Sequence, residues 1–170
     1  MSPPIRAKEH QDYLWKALAD GIIDTVATDH APFDFATQKH MGHPDPEKCV
    51  DANFQPTGKA GNFTLIPNGI PSVEERVKLL YSKGVAAGRI DLHTFVRAAS
   101  TRAAEVFGLY PKKGVIVVGS DADIVIWDPE WKGEISVRTH SMATDYSAFE
   151  GWPVIGRPET VMVRGKVMVC

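Results

Sequence analysis

The spacing of apolar positions changes along this chain, from helical in the first part to alternating in the last. Residues 10–19 put Leu14, Trp15 and Leu18 on one helical face, and Gly21 suits the stop. The run Ile22-Ile23-Asp24-Thr25-Val26-Ala27-Thr28-Asp29 is mostly apolar with β-branched residues, which predicts a strand buried on both faces, as in a parallel α/β sheet. From residue 30 to 69 periodicity fades and Pro, Gly, Asn and Asp accumulate. A loop of roughly forty residues far exceeds the usual few, and in a folded protein such a loop is functional or disordered. Ser72 with Glu75 three positions later reads as a capping box for a helix carrying Val73, Val77 and Leu80, with an end near Gly84 or Gly88. Asp91 is placed to cap a short helix through Phe95, Val96 and Ala99. Ser100 or Thr101 would cap another that buries Ala104, Val106 and Phe107 before Gly108.

Beyond Gly114 the period is two. Segments 115–118, 123–127, 134–137 and 160–169 read as strands, the last folding back at Arg164-Gly165 with Val161, Val163, Val167 and Val169 alternating. The reading is thus α/β in residues 1–110 and antiparallel β in residues 111–170. One strand cannot make a parallel sheet, and a few strands with long connections make only part of a sandwich. Both halves therefore read as pieces of something larger.

Composition narrows the function classes. The 170 residues suffice for one domain with a core, and 44% apolar with 24% charged residues is ordinary for a soluble globular protein. A formal charge of −2 supplies no basic patch for nucleic acid. No apolar run approaches the ~20 residues that span a bilayer, and residues 1–6 hold no secretion-signal core. Cys49 and Cys170 show no disulfide or metal pattern, so two free thiols in a reducing cytoplasm are expected.

Candidate chemistry concentrates at Thr28-Asp29-His30-Ala31-Pro32-Phe33. An aspartate ending a buried parallel strand stands where α/β barrels build active sites, and there it can bind a metal and exchange a proton with metal-bound water. Equally, Asp29 can cap the following loop through an Asx-turn. His40 and His43, with Asp45 and Cys49 nearby, superficially resemble a zinc cluster but lack a second ligand pair, which leaves surface loop histidines. Ile66-Pro67-Asn68-Gly69 is a turn signal whose backbone groups could read a planar amide. His93 reads as a packed or capping histidine, and His10 and His140 carry no partner pattern. Trp127-Asp128-Pro129 and Trp152-Pro153 read as packing at strand ends. No phosphate loop and no Ser or Cys nucleophile signature occurs.

Taken together, several segments resemble the dihydropyrimidinase/hydantoinase family of cyclic amidohydrolases. They are residues 1–6, 28–33, 62–69 and 74–76, then 98–101, 107–114, 118–129, 149–153 and 163–167, in the family's order and over essentially the whole chain. The resemblance implies the C-terminal portion of a metal-dependent TIM-barrel enzyme, with residues 1–110 ending the barrel and 111–170 completing a β-sandwich. It implies hydrolysis of a hydantoin or dihydropyrimidine to an N-carbamoyl amino acid at two divalent metal ions, usually zinc. Asp29 would ligate one metal and shuttle the proton, and backbone groups of Ser2 and Asn68 would hold the cyclic diamide. The family's His-x-His pair, carboxylated lysine, further histidines and oxyanion tyrosine have no counterpart here. The chain alone is therefore expected to be inactive. A cytoplasmic homotetramer is expected for the complete enzyme, with Tyr146, Phe149 and Trp152 either meeting a neighbouring subunit or packing within the chain. Dihydroorotases share Thr-Asp-His-Ala-Pro but commonly follow it with histidine, where Phe33 stands here, and allantoinases are less similar at 62–69. Non-catalytic dihydropyrimidinase-like scaffolds typically lose the aspartate and asparagine that this chain keeps, and a degenerate remnant is the remaining alternative.

Overall fold

The computed structural model describes residues 3–169, so Ser2 and Cys170 lie outside the described residues. The chain is a mixed helix and sheet structure of two compact units, each assembled from separated segments. One comprises Met1–Ile5, Thr28–Glu74 and Glu134–Trp152, and the other Arg6–Ala27, Glu75–Gly133 and Pro153–Cys170.

The second unit contains the longer helices and the sheet. Helix α1 (His10–Ala19) forms as its apolar spacing predicts and buries Ala17 and Leu18. Helix α2 (Glu75–Leu79) passes without interruption into a π-helical stretch, Leu80–Val85. Helix α3 (Leu92–Val96) opens with Asp91 at its N-cap, the carboxylate accepting the Thr94 N–H at 2.7 Å. The expected new start at Ser100 or Thr101 does not occur: α3 runs through a π-helical stretch, Arg97–Thr101, into α4 (Arg102–Val106). Thr101 makes no side-chain cap bond, and its hydroxyl donates to the Gly114 carbonyl. Leu18, Leu80, Ile90 and Ala98 meet at the centre, with Trp15, Ile23, Val26 and Phe95 packed around them.

Segment 22–29 does not become a strand. Ile22 is 75% exposed, and isolated bonds rather than a ladder hold the stretch, among them the Val26 N–H to the Ala98 carbonyl, the Arg76 guanidinium to the Val26 carbonyl and the Arg102 guanidinium to the Asp24 carboxylate. Apolar, β-branched composition favours an extended chain. A strand also needs a neighbouring ladder, and among the described residues none lies beside this segment.

Strands β1 (Ile124–Glu134), β2 (Pro153–Val163) and β3 (Lys166–Val169) form one sheet in that order. The expected strand 123–127 falls within β1 from Ile124 on, and β1 runs further, to Glu134; residues 135–137 of the expected strand 134–137 lie outside it, in coil and turn. Segment 115–118 is instead bend and turn, with Ile116 and Val118 exposed, because no neighbouring strand pairs with it among the described residues. The β2–β3 hairpin turns at Arg164 (φ 49°) and Gly165 (φ 77°), two consecutive left-handed residues as a tight antiparallel hairpin requires. Asp121 and Asp123 of the Gly-Ser-Asp-Ala-Asp stretch both bind Lys113, and Asp123 also accepts the Arg164 N–H, so these carboxylates tie a loop to the hairpin. Tyr81, Phe95 and Trp127 form an aromatic triangle with centroids 4.9–5.8 Å apart. Gly156 (φ 80°) makes room for it: a Cβ there would lie 2.5 Å from the Tyr81 ring.

The first unit has few regular elements: a π-helical turn at Phe35–Lys39, a 3-10 turn at Phe63–Leu65 and an isolated bridge between Val50 and Pro56. The long loop is thus ordered by tertiary contacts rather than by periodicity. Asp145 accepts the N–H groups of Phe35 and Ala36 at 2.6 and 2.9 Å. Glu150 accepts the Val137 N–H and the Ser136 hydroxyl. Glu74 accepts the Ser141 N–H at 2.6 Å.

Candidate active-site segment

Asp29 is exposed and sits at φ 48°, a left-handed conformation that non-glycine residues adopt only where the surroundings impose it. Those surroundings are visible on both sides. The Ser72 hydroxyl donates to the Thr28 carbonyl at 3.2 Å. His30 Nδ1 accepts the N–H groups of Ser72 and Val73 at 3.0 and 3.2 Å. Ser72 therefore clamps the residues flanking Asp29 instead of forming the expected capping box, and helix α2 starts at Glu75. Among the described residues the Asp29 carboxylate accepts no hydrogen bond, so the Asx-turn alternative is not formed. The carboxylate is left available while its backbone is held.

The Asn68 turn joins the same segment. The Ala31 N–H donates to the Ile70 carbonyl at 3.2 Å. Gly69, at φ 124°, approaches so closely that a Cβ would fall 2.4 Å from the Ala31 Cβ, which glycine alone permits. Asn68 is exposed, and among the described residues neither its N–H nor its C=O is hydrogen-bonded. Lys39 ties this turn down, as sequence reasoning did not anticipate. Its ammonium donates to the carbonyls of Pro67 and Gly69, each at 2.5 Å, and lies 5.2 Å from the centre of the Phe33 ring. Partial burial lowers its pKa from the ordinary 10.5, because desolvation disfavours the charged form. Alongside lies an open groove of about 430 Å³ lined by His30, Pro32, Val73, Glu74 and residues 141–144.

The other candidates disperse. His43 Nδ1 accepts the Asp45 N–H, and the rings of His40 and His43 pack edge to face at 5.4 Å. Cys49 is buried, its thiol at 3.3 Å from the Met41 carbonyl and 2.9 Å from the Thr57 hydroxyl. His93 is exposed rather than packed, because it lies on the outer face of α3, and the cap belongs to Asp91. Tyr146 packs on Phe35, and Phe149 on Trp152, both with centroids 5.4 Å apart. Burial first, and then the charge of Asp145, pushes the Tyr146 hydroxyl pKa up.

Among the described residues no group of three or more His, Cys, Asp or Glu side chains converges as a metal site would require. A metal pair does not fit the described residues of this chain by themselves. Among the described residues, no helix is long and apolar enough to cross a membrane.

The backbone on either side of Asp29 is thus held, and the exposed Asn68 turn is bonded to the same segment. The amidohydrolase family model matches residues 5–168, and the chain belongs to that family. Members of the family are generally metal-dependent. Its relatives include the D-hydantoinase of Geobacillus stearothermophilus, 48% identical over 168 residues, which are 99% of this chain and 32% of that protein. The D-hydantoinase of Ralstonia pickettii is 46% identical over 99% of this chain and 33% of its own length. Among solved structures, the D-hydantoinase (dihydropyrimidinase) from Thermus sp. is 53% identical with a TM-score of 0.85, covering 99% of this chain and 33% of that one. The chain spans about a third of the length of the relatives it matches.

Proposed function

We propose that this chain is the C-terminal third of a cyclic-amide hydrolase that opens hydantoins or dihydropyrimidines to N-carbamoyl amino acids. The observation that carries this reading is the match to D-hydantoinases over 99% of the chain at close to half identity. Residues 1–110 would complete a (β/α)8 barrel and residues 111–170 a β-sandwich, with the remaining strands supplied by the rest of the protein. Asp29 would act as base and then acid: its carboxylate takes a proton from the attacking water as the C–O bond forms, and returns it to the ring nitrogen as the C–N bond breaks. The free N–H and C=O of Asn68, together with the backbone of Ser2, would pair with the ring diamide. Two divalent metal ions, zinc in the usual case, would take Asp29 as one ligand and find the others outside this chain. A cytoplasmic homotetramer belongs to the same reading, with Trp152, 46% exposed, offered to a neighbouring subunit.

The test measures metal content and turnover of hydantoin and dihydrouracil on the purified chain and on the full-length protein. The chain alone is expected to be inactive and the full-length protein active. Asp29→Asn is expected to lower kcat by about 10³-fold, the range of a lost acid–base group. A full-length protein that opens neither ring, or an Asp29→Asn variant with unchanged kcat, would overturn the assignment.

A further inference from the structure

We infer that Lys39 is a positioning residue for substrate binding, holding the Asn68 peptide so that its N–H and C=O face the ring. The inference rests on the proposed role of Asn68 and adds the residue that orients it. A trans peptide points its C=O and N–H in opposite directions. A Pro67 carbonyl held by the Lys39 ammonium therefore aims the Asn68 N–H away from that ammonium. The second bond, to the Gly69 carbonyl, holds the other side of the same residue. With the carbonyls on either side of it occupied by one cation, Asn68 is the residue of the turn left with both backbone groups open.

Further contacts make this clamp specific to the site. The aromatic face of Phe33 lies 5.2 Å from the ammonium, so the cation links the Asp29–Phe33 segment to the Asn68 turn. The Ala31 N–H bond to Ile70 and the Gly69–Ala31 approach restrain the turn from the other side. Lys39 itself belongs to a π-helical turn whose first N–H groups are held by Asp145, which fixes where its side chain starts. An ammonium suits the task because its three donors can satisfy two carbonyls two residues apart, which a hydroxyl with its one donor cannot. Lys39 would touch neither the substrate nor the reacting atoms. Its effect passes through the Asn68 backbone, so it should govern ring affinity rather than proton transfer.

The experiment compares unmodified, Lys39→Met and Lys39→Arg proteins in two arms. In the full-length protein, Lys39→Met is expected to raise KM for hydantoin and dihydrouracil on the order of tenfold, the loss of one well-placed hydrogen bond. Metal content and the pH profile of kcat should stay unchanged, and Lys39→Arg, which keeps several donors, should recover most of the affinity. A fall in kcat at unchanged KM, or no change at all, overturns the inference. In the second arm, backbone NMR of the 170-residue chain follows the Asn68 and Gly69 amides. They should shift and exchange faster in Lys39→Met and return in Lys39→Arg, and unchanged signals overturn the clamp. If the full-length protein opens neither ring, the functional reading fails and this arm alone judges the clamp. If the methionine variant does not fold, the Lys39 ammonium of the unmodified chain is read directly. Slow proton exchange with couplings to the Pro67 and Gly69 carbonyls is expected, and a freely exchanging ammonium counts against the inference.

Discussion

In the unit built from residues 6–27, 75–133 and 153–170, methyl groups and aromatic rings meet one another. In the unit built mainly from residues 28–74 and 134–152, carboxylates, an imidazole and an ammonium meet backbone amides. Ala17, Leu18, Leu80, Tyr81, Ile90, Ala98, Ala104 and Val154 are buried in the former, whereas Cys49, Pro71 and Ile135 are buried in the latter. Apolar packing is non-directional and holds a unit together without dictating one residue's dihedral angles. Hydrogen bonds accepted by His30, Asp145 and Glu150 and donated by Lys39 are directional, and such bonds hold irregular backbone, as at Asp29 with φ 48°. A segment that must present a carboxylate and an open peptide in set orientations benefits from the second kind of support.

This contrast can be broken most forcefully in the apolar unit. Leu80→Ala, at the centre of the cluster with Leu18, Ile90 and Ala98, should cost about 3 kcal/mol in urea melts, from lost transfer energy and the cavity left behind. A change below about 1 kcal/mol would mean that the cluster does not carry that unit.

A smaller and more local effect is expected for Asp145→Asn. Asparagine keeps one acceptor oxygen where aspartate offers two to Phe35 and Ala36. Amide exchange at those two residues should rise about tenfold while the amides of α1 stay protected. Equal loosening of α1 would show that the two kinds of support are not separable.

Acid should produce the mildest difference. The N–H of Val137 and then the Ser136 hydroxyl hold the Glu150 carboxyl below its ordinary 4.5. The backbone N–H and then the side chain of Thr94 hold Asp91 below 3.8, and Lys113 followed by the Arg164 N–H does the same for Asp123. A depressed folded pKa contributes stability that is complete above the ordinary value and is lost as pH falls through the depressed one. Melting temperature should therefore be level down to the ordinary carboxylate range and decline below it. In Glu150→Gln the part of that decline due to residue 150 should disappear, and an unaltered acid limb would argue against the Glu150 stitch.

Much of the second unit was legible in the sequence, because its elements are set by near neighbours. The stripe of Leu14, Trp15 and Leu18 gave α1, the Asp91 cap gave α3, and Arg164-Gly165 gave the hairpin. The strand expected at 22–29 failed for a non-local reason: composition favours extension, but a ladder requires a partner that the described residues do not place there. Asp29 and Asn68 stood out through their motifs, and the comparisons place the chain among amidohydrolases.

Which residues support those two was decided only in three dimensions. Ser72 is 44 positions from Thr28, Lys39 is 28 from Pro67, and Asp145 is 110 from Phe35. No periodicity or turn signal links positions so far apart, since local patterns report only the interactions of residues a few places away. The sequence by itself determined helix α1, the Asp91 cap of α3, the hairpin and the identity of the candidate aspartate and asparagine. Tertiary structure decided that the aspartate is clamped in a left-handed conformation and that the asparagine's peptide stands open, because both depend on bonds between distant segments.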